Sequence, residues 1–318
     1  MDRHTLDTPY PVGPVHFYTC QIKGDIIMFD TGPYTFLALD YVKKNINLNK
    51  LKYVFITHSH ADHYGLENFL SKNSEAKIYM PKMDHLKFKN LKDRIEISKK
   101  ILLECGFSES YIEQIKLMLL NFVNSVPIPI NYNILEESKL DIDLSYISCP
   151  GHSKSDIVYI FEGYAVTGDV LLHNIFQTPI LDVDYDKKTR FSNYEAYCNT
   201  LLKLPLLEKY TILPGHRQHT SIEEIVSFYV KKIIERASLI QNYLDEPVFS
   251  IIKKAIPHAL NDPFTAYIKA SEILFFLDFL SKPYILQESL EKINITDRDI
   301  SVMFDRLFSN KALSKKLN

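Results

Sequence analysis

The chain has 318 residues, 46% hydrophobic and 24% charged, an ordinary globular balance with room for one large domain or a domain plus an appendage. A formal net charge of −2 excludes a global positive field for nucleic acid or anionic membrane, and no apolar run reaches the roughly 18 residues of a membrane-spanning helix. Cys20, Cys105, Cys149 and Cys198 are widely spaced without a CxxC pair, and the first residues, "MDRHTLDTPYPVG", lack a signal-peptide pattern, so a reduced, cytoplasmic protein is expected.

From Val15 to Asp30 the apolar and β-branched residues flank Lys23-Gly24-Asp25, which predicts a hairpin. "TFLALDYVKKNI" has helical spacing, "YVFIT" is a short buried strand, "YGLENFLSK" reads as a helix and "AKIYMP" as a strand. This alternation predicts an α/β layered domain. Residues 82–122 read as helical, with a stop at Gly106 and a restart at Ser108. "SVPIPINYNI" is extended. Strands resume at "LSYISCPG", "DIVYIFEG" and "YAVTGD", a helix at "NYEAYCNTLLKL", and the last strand at "YTILPGH". From Ser221 the pattern is helical, broken at Glu246-Pro247 and Lys282-Pro283. The expected domains are therefore 1–220, with a helical lid insert over about 83–131, and a helical extension over 221–318.

The stretch "VFITHSHADHYG" places His58, His60, Asp62 and His63 where an apolar strand ends. A loop leaving a strand can turn several side chains toward one point. Imidazole nitrogen and carboxylate oxygen are both competent metal donors. Taken alone, the stretch is either a metal site or a solvated polar loop. Three later fragments repeat its design. "SCPGHSKSD" puts His152 after a strand and a Pro-Gly turn, "YAVTGDVL" puts Asp169 after a strand and a glycine, and "TILPGHRQH" puts His216 after a second Pro-Gly turn. Glycine lets the backbone approach closely or take positive φ. Four strand-end donor sites in one chain argue for metal. Cys149 lies on a strand, where packing is its expected role. His4 and His16 carry no assigned role.

"THSHADH", "PGHS", "TGD" and "PGH", in that order, resemble the metallo-β-lactamase superfamily of hydrolases across about residues 10 to 220. The resemblance implies an α/β fold, an αββα sandwich with metal at one edge of the two sheets. It implies that His58, His60 and His152 hold one ion, that Asp62, His63 and His216 hold a second, and that Asp169 bridges them. It implies two divalent ions, Zn2+ first with Fe or Mn as alternatives, a bridging hydroxide as nucleophile, and a role for Asp62 in hydrogen-bonding that nucleophile. Asp30 in "MFDTG" resembles the early Asp-Thr-Gly turn that supports the metal loop by hydrogen bonds. His173 and His219 are candidates for substrate contact.

Asp169 in place of a cysteine is similar to the glyoxalase II, lactonase and ribonuclease branches rather than to true β-lactamases. "LLECGFSESYIEQI" and "GDVLLHNIFQTPI" resemble a bacterial group near the lactamase-β-like 2 and hydroxyacylglutathione hydrolase branches. Its C-terminal helices end in a winged-helix-like module. No concentrated basic stripe marks that module here except Lys311 and Lys315-Lys316, so it reads as packing, lid or homodimer surface. The first functional reading is hydrolysis of a small-molecule carboxylic ester, a thioester or lactone. A phosphodiesterase or single-strand endoribonuclease is the alternative, disfavoured by the acidic balance. A non-catalytic binding protein is disfavoured because no metal-ligand position is missing. An oxidoreductase is a minor reading, since the flavin-linked relatives carry an acidic residue where His60 stands and need a flavodoxin domain that is absent here. Nucleic acid and membrane are not expected partners.

Overall fold

The computed structural model describes residues 1–309, apart from the side chains of residues 122–124. Three strands come first: β1 (Asp2–Leu6), β2 (Val15–Ile22) and β3 (Asp25–Phe29). Lys23 and Gly24 join β2 to β3 at φ 51° and 92°, the two-residue turn whose twist suits a hairpin. Helix α1 (Phe36–Asn45) starts where the Thr35 hydroxyl accepts from the Ala38 N–H, and leads to β4 (Leu51–Phe55). The single turn α2 (Ala61–Tyr64) and α3 (Glu67–Asn73) precede β5 (Lys77–Met80). An insert of α4 (Lys82–Lys89), α5 (Leu91–Glu104) and α6 (Glu109–Ser125) then leads to β6 (Asn133–Ile134). Gly106, at φ 86°, ends the turn after α5, and the Ser108 hydroxyl caps α6, at the stop and restart expected from the sequence.

The second half supplies β7 (Ser145–Ser148), β8 (Ile157–Phe161) and β9 (Tyr164–Gly168). A small pair, β10 (Val183–Asp184) and β11 (Thr189–Arg190), precedes α7 (Asn193–Leu201) and β12 (Thr211–Pro214). The first sheet runs β1-β2-β3-β4-β5-β6, antiparallel to β3 and parallel from there. The second runs β12-β9-β8-β7, with β12 parallel to β9.

Alternation along the strands builds the layers. Phe29, Phe55, Tyr79, Tyr159 and Phe161 meet between the sheets. Met28, Val54 and Ile78 face the other way, onto Ala38, Val42, Leu66 and Leu70 of the first helical layer. On the second sheet Val158, Ala165 and Ile212 face Tyr194, Tyr197 and Leu201 of α7. Helix, two sheets and helix make the expected αββα sandwich. Central strands are covered on both faces, which is why Tyr53, Val54, Phe55 and Ile56 follow one another without a charged or amide side chain. Each fully buried aromatic contributes about 2–3 kcal/mol of transfer free energy.

After β12 the chain is helical among the described residues: α8 (Ile222–Ser238), α9 (Val248–Ala255), α10 (Pro263–Ser281), α11 (Pro283–Lys292) and α12 (Arg298–Phe308). They share one hydrophobic core with the outer face of the second sheet and with Ile101, Phe107 and Ile112 of the insert. No helix among the described residues is long and apolar enough to cross a membrane. Lys311, Lys315 and Lys316 lie outside the described residues.

Candidate metal centre

Parallel strands end at the same edge, and their following loops meet there. Beyond β3, Asp30 takes φ 59°, a left-handed conformation that aspartate tolerates, and its N–H donates to Phe55 O at 2.9 Å. Beyond β4, the chain runs through His58 to His60, which starts α2; that one turn brings Asp62 and His63 back over His58. The rings of His58 and His63 lie 4.3 Å apart between centroids.

The second sheet supplies the rest. Gly168, at φ 49°, ends β9, and a Cβ there would sit 2.7 Å from Thr57 Oγ1. Gly215 follows β12, and its N–H donates to Gly168 O at 2.7 Å. A Cβ at Gly215 would lie 2.6 Å from His63 Cε1 and 2.8 Å from Asp169 Oδ1. Glycine is required here so that two backbones can pass this close to the donor side chains. The loop holding His152 is closed by Asp156, whose carboxylate accepts from Ser153 N at 2.7 Å and Ser153 Oγ at 2.6 Å.

The seven expected residues come together in two groups: His58, His60, His152 and Asp169, and Asp62, His63 and His216. Donor atoms within each group lie within 4.8 Å of one another. Asp169 faces both groups. Its Oδ2 is 3.6 Å from His152 Nε2, and its Oδ1 is 3.3 Å from His63 Nε2 and 3.5 Å from His216 Nε2. Asp62 Oδ2 is 3.4 Å from His216 Nε2.

Hydrogen bonds on the outer side fix the tautomers. His152 Nδ1 donates to Thr178 O at 2.8 Å and His216 Nδ1 to Pro14 O at 2.7 Å. His63 Nδ1 donates to Asp30 Oδ2 at 2.7 Å. The Thr57 hydroxyl donates to Asp30 Oδ2 at 2.8 Å, so at 3.1 Å it accepts from His58 Nδ1. Each of these four rings therefore turns an Nε2 lone pair inward. His58 Nε2 and His152 Nε2 both face His60 Nδ1, at 2.9 and 3.0 Å, yet one ring N–H cannot satisfy two lone pairs at once. His63 Nε2, His216 Nε2 and Asp169 Oδ1 are buried without a hydrogen-bond partner. Each such atom costs about 1–3 kcal/mol unless something pairs with it. Converging lone pairs of nitrogen and oxygen fit divalent metal, and a proton cannot bridge so many.

The electrostatics agree. Burial, followed by the neighbouring His63 and His60, holds the His58 pKa well below its ordinary value. Burial, His152 and Lys87 do the same for His60. Burial opposes the charged form of His63, but Asp169, Asp30 and Asp62 overcome it and raise its pKa well above the ordinary value. Burial likewise opposes ionisation of Asp169, yet His216, His63 and His58 hold its carboxyl well below the usual range. Carboxylates that raise a histidine's affinity for a proton raise it for any cation.

Asp30 accepts from Thr57 N–H at 2.7 Å as well as from the Thr57 hydroxyl and His63 Nδ1. His173 is half-buried and pairs with Thr220 Oγ1 at 3.1 Å and Asn174 Nδ2 at 2.7 Å, which ties the loop after Asp169 to the loop after His216. His219 is exposed in that second loop. Neither belongs to the two donor groups. Burial pushes the Cys149 thiol up to about 12, which fits packing. His16 has a structural role that the sequence did not disclose. It is buried, its Nε2 bonds Arg217 O at 2.8 Å and its N–H donates to Gly215 O, so it pins the loop carrying His216. Ser59, between two donors, gives its hydroxyl to Asp84 Oδ1 at 2.5 Å and accepts from Lys87 Nζ at 2.9 Å, both on α4.

The profile of the Metallo-beta-lactamase superfamily matches residues 10–216. The chain is 27% identical over 270 residues to the probable metallo-hydrolase YqjP of Bacillus subtilis (strain 168), covering 79% of this chain and 83% of that one. Two crystal structures share the fold. Metallo-beta-lactamase family protein TTHA1429 from Thermus thermophilus has a TM-score of 0.68 at 19% identity, covering 88% of this chain and 94% of that one. A beta-lactamase domain protein from Burkholderia ambifaria has a TM-score of 0.66 at 16% identity, covering 87% and 86%. Both comparisons extend past the sandwich into the helices that follow it. The chain belongs to the metallo-beta-lactamase superfamily and is a metallo-hydrolase.

Proposed function

We propose that this chain is a dinuclear metallo-hydrolase that cleaves a carboxylic ester-type bond, a thioester or lactone, in a small cytoplasmic molecule. The observation that carries the reading is the pair of donor groups joined by Asp169, which faces one carboxylate oxygen toward each. His58, His60 and His152 would hold one divalent ion, and Asp62, His63 and His216 a second, with Asp169 shared. Bound there, zinc (or iron or manganese, which the donor set also suits) would supply an activated water at neutral pH and Lewis acidity toward the scissile carbonyl.

The chain does the rest. Asp30, Thr57, Pro14 and Thr178 hold four imidazoles in one tautomer, so no reorientation is needed when a cation arrives. Asp62 has a second carboxylate oxygen to accept a proton from the attacking water and pass it to the leaving group. His173 and His219 sit on loops that follow donor residues, where they would meet substrate. The formal charge of −2 supports an acyl substrate over a polyanion.

The test is a side-by-side panel of acyl thioesters, lactones, a phosphodiester and single-stranded RNA with metal-loaded protein. Turnover of a thioester or lactone above the other two is expected. Faster turnover of RNA or the phosphodiester reverses the substrate class.

A further inference from the structure

His152 is held from behind by a segment with no regular secondary structure. Its Nδ1 donates to Thr178 O, and its own carbonyl accepts from Ile180 N–H at 3.0 Å. Residues 175–182 belong to no helix or strand, so neighbours must fix them. Those neighbours are largely C-terminal helices. The Tyr229 hydroxyl of α8 donates to Gln177 O. On α10, the Ser271 hydroxyl accepts from Leu181 N–H at 3.1 Å and the Tyr267 hydroxyl donates to Leu181 O at 3.0 Å. From α7, Asn193 Nδ2 donates to Ile180 O at 3.3 Å.

Glu272 adds a charged anchor to these. It is 3% exposed, on the buried side of α10. Its Oε1 accepts from the Thr178 hydroxyl at 3.2 Å and from Arg236 at 3.1 Å, and its Oε2 from Lys269 at 2.8 Å. The Arg236 guanidinium lies 4.1 Å from the centre of the Phe176 ring, two residues before Thr178. One buried carboxylate thus ties α8, α10 and the segment behind His152 together. An apolar residue would often fill such a place with equal or better stability, so a buried, paired charge points to a demand for position.

We propose that Glu272 is a positioning residue for the metal centre, acting through Thr178 on the ring of His152. The proposal rests on the reading of His152 as a metal ligand. The C-terminal helices are then part of the site's machinery, since α8 and α10 set the orientation of one donor ring.

The test measures metal affinity by competition with a chromophoric chelator, the visible spectrum of the Co2+-loaded protein, and thermal stability. Glu272→Ala is expected to weaken metal binding about 10–100-fold and to alter the Co2+ spectrum. Thr178→Val removes the hydroxyl alone and is expected to act in the same direction, with the double variant little worse than the worse single. Glu272→Gln keeps an acceptor for Thr178 and is expected to restore most of the affinity. Asp278, on the same helix as Glu272, pairs with Arg190 of β11 at 2.6 Å; Asp278→Ala breaks that pair and is expected to lower stability while leaving affinity within about twofold of wild type. Affinity within about twofold of wild type in both Glu272→Ala and Thr178→Val overturns the proposal, as does an equal loss in Asp278→Ala. Wild-type protein that takes up no metal overturns the metal-ligand reading and this proposal with it.

Discussion

Replacing Gly215 by alanine tests the packing of the centre with one methyl group. The added Cβ would lie 2.6 Å from His63 Cε1, 2.8 Å from Asp169 Oδ1 and 3.1 Å from Gly168 C. The first of these is about 0.8 Å short of the 3.4 Å at which ordinary van der Waals contact begins. His63 cannot recede freely, because Asp30 holds its Nδ1 at 2.7 Å. The Gly215 backbone cannot recede freely either, because Gly168 O and His16 N–H hold it. The displacement must therefore be shared between two donors at the same centre, and a misplacement of about 1 Å costs on the order of 100-fold in rate. Overpacking should cost about 1–3 kcal/mol of stability besides. The assay is kcat/KM on the best acyl substrate, with metal content and circular dichroism measured on the same sample. Gly163→Ala is the control: that glycine, at φ 80°, has nothing within 4 Å of its would-be Cβ, so the variant should lose stability and keep its rate. A folded Gly215→Ala protein with a rate within about threefold of wild type would refute the reasoning.

Two further outcomes follow from the buried carboxyl groups. Asp30→Ala removes the acceptor of Thr57 N–H, the Thr57 hydroxyl and His63 Nδ1, and should weaken metal binding about 10–100-fold by chelator competition; a change under about twofold would contradict it. Burial raises the Glu67 carboxyl to about 7, against the opposing Ile130 backbone and Lys72. Its folded pKa lies above its unfolded one, so its stabilising contribution is full below the unfolded value near 4.5 and is lost as pH rises through about 7. Glu67→Gln should flatten that fall by about 3 kcal/mol between about pH 4.5 and 8, read from urea midpoints; an unchanged slope would contradict the assignment.

The candidate donor residues were legible because they cluster in the loops and the short turn that follow strand ends. An apolar run, a glycine or Pro-Gly turn and a histidine or aspartate recur at His152, Asp169 and His216, and the apolar run before His58 ends the same way; short runs of apolar and β-branched residues, buried on both faces, make the central strands themselves readable. The Lys23-Gly24 turn and the Ser108 cap were legible for the same reason, that local backbone geometry selects residue type. β1 was not read, since "DRHTL" is a polar edge strand with only Leu6 buried, nor was the two-residue pair β10–β11. The partners of the imidazoles were harder still. Pro14 and Thr178 act through backbone carbonyls, which leave no trace in side-chain chemistry. Glu272 sits in a helix buried on several faces, where nothing in the local pattern distinguishes it from the charged residues around it.

The central claim is a site for two ions joined by Asp169, and metal content measures it most directly. Purified wild-type protein equilibrated with Zn2+ and then desalted should hold about two ions per chain, and Asp169→Ala should hold fewer and lose hydrolysis in proportion. One ion or less in the wild type, or full hydrolysis by an Asp169→Ala protein holding less than one ion per chain, would contradict the account.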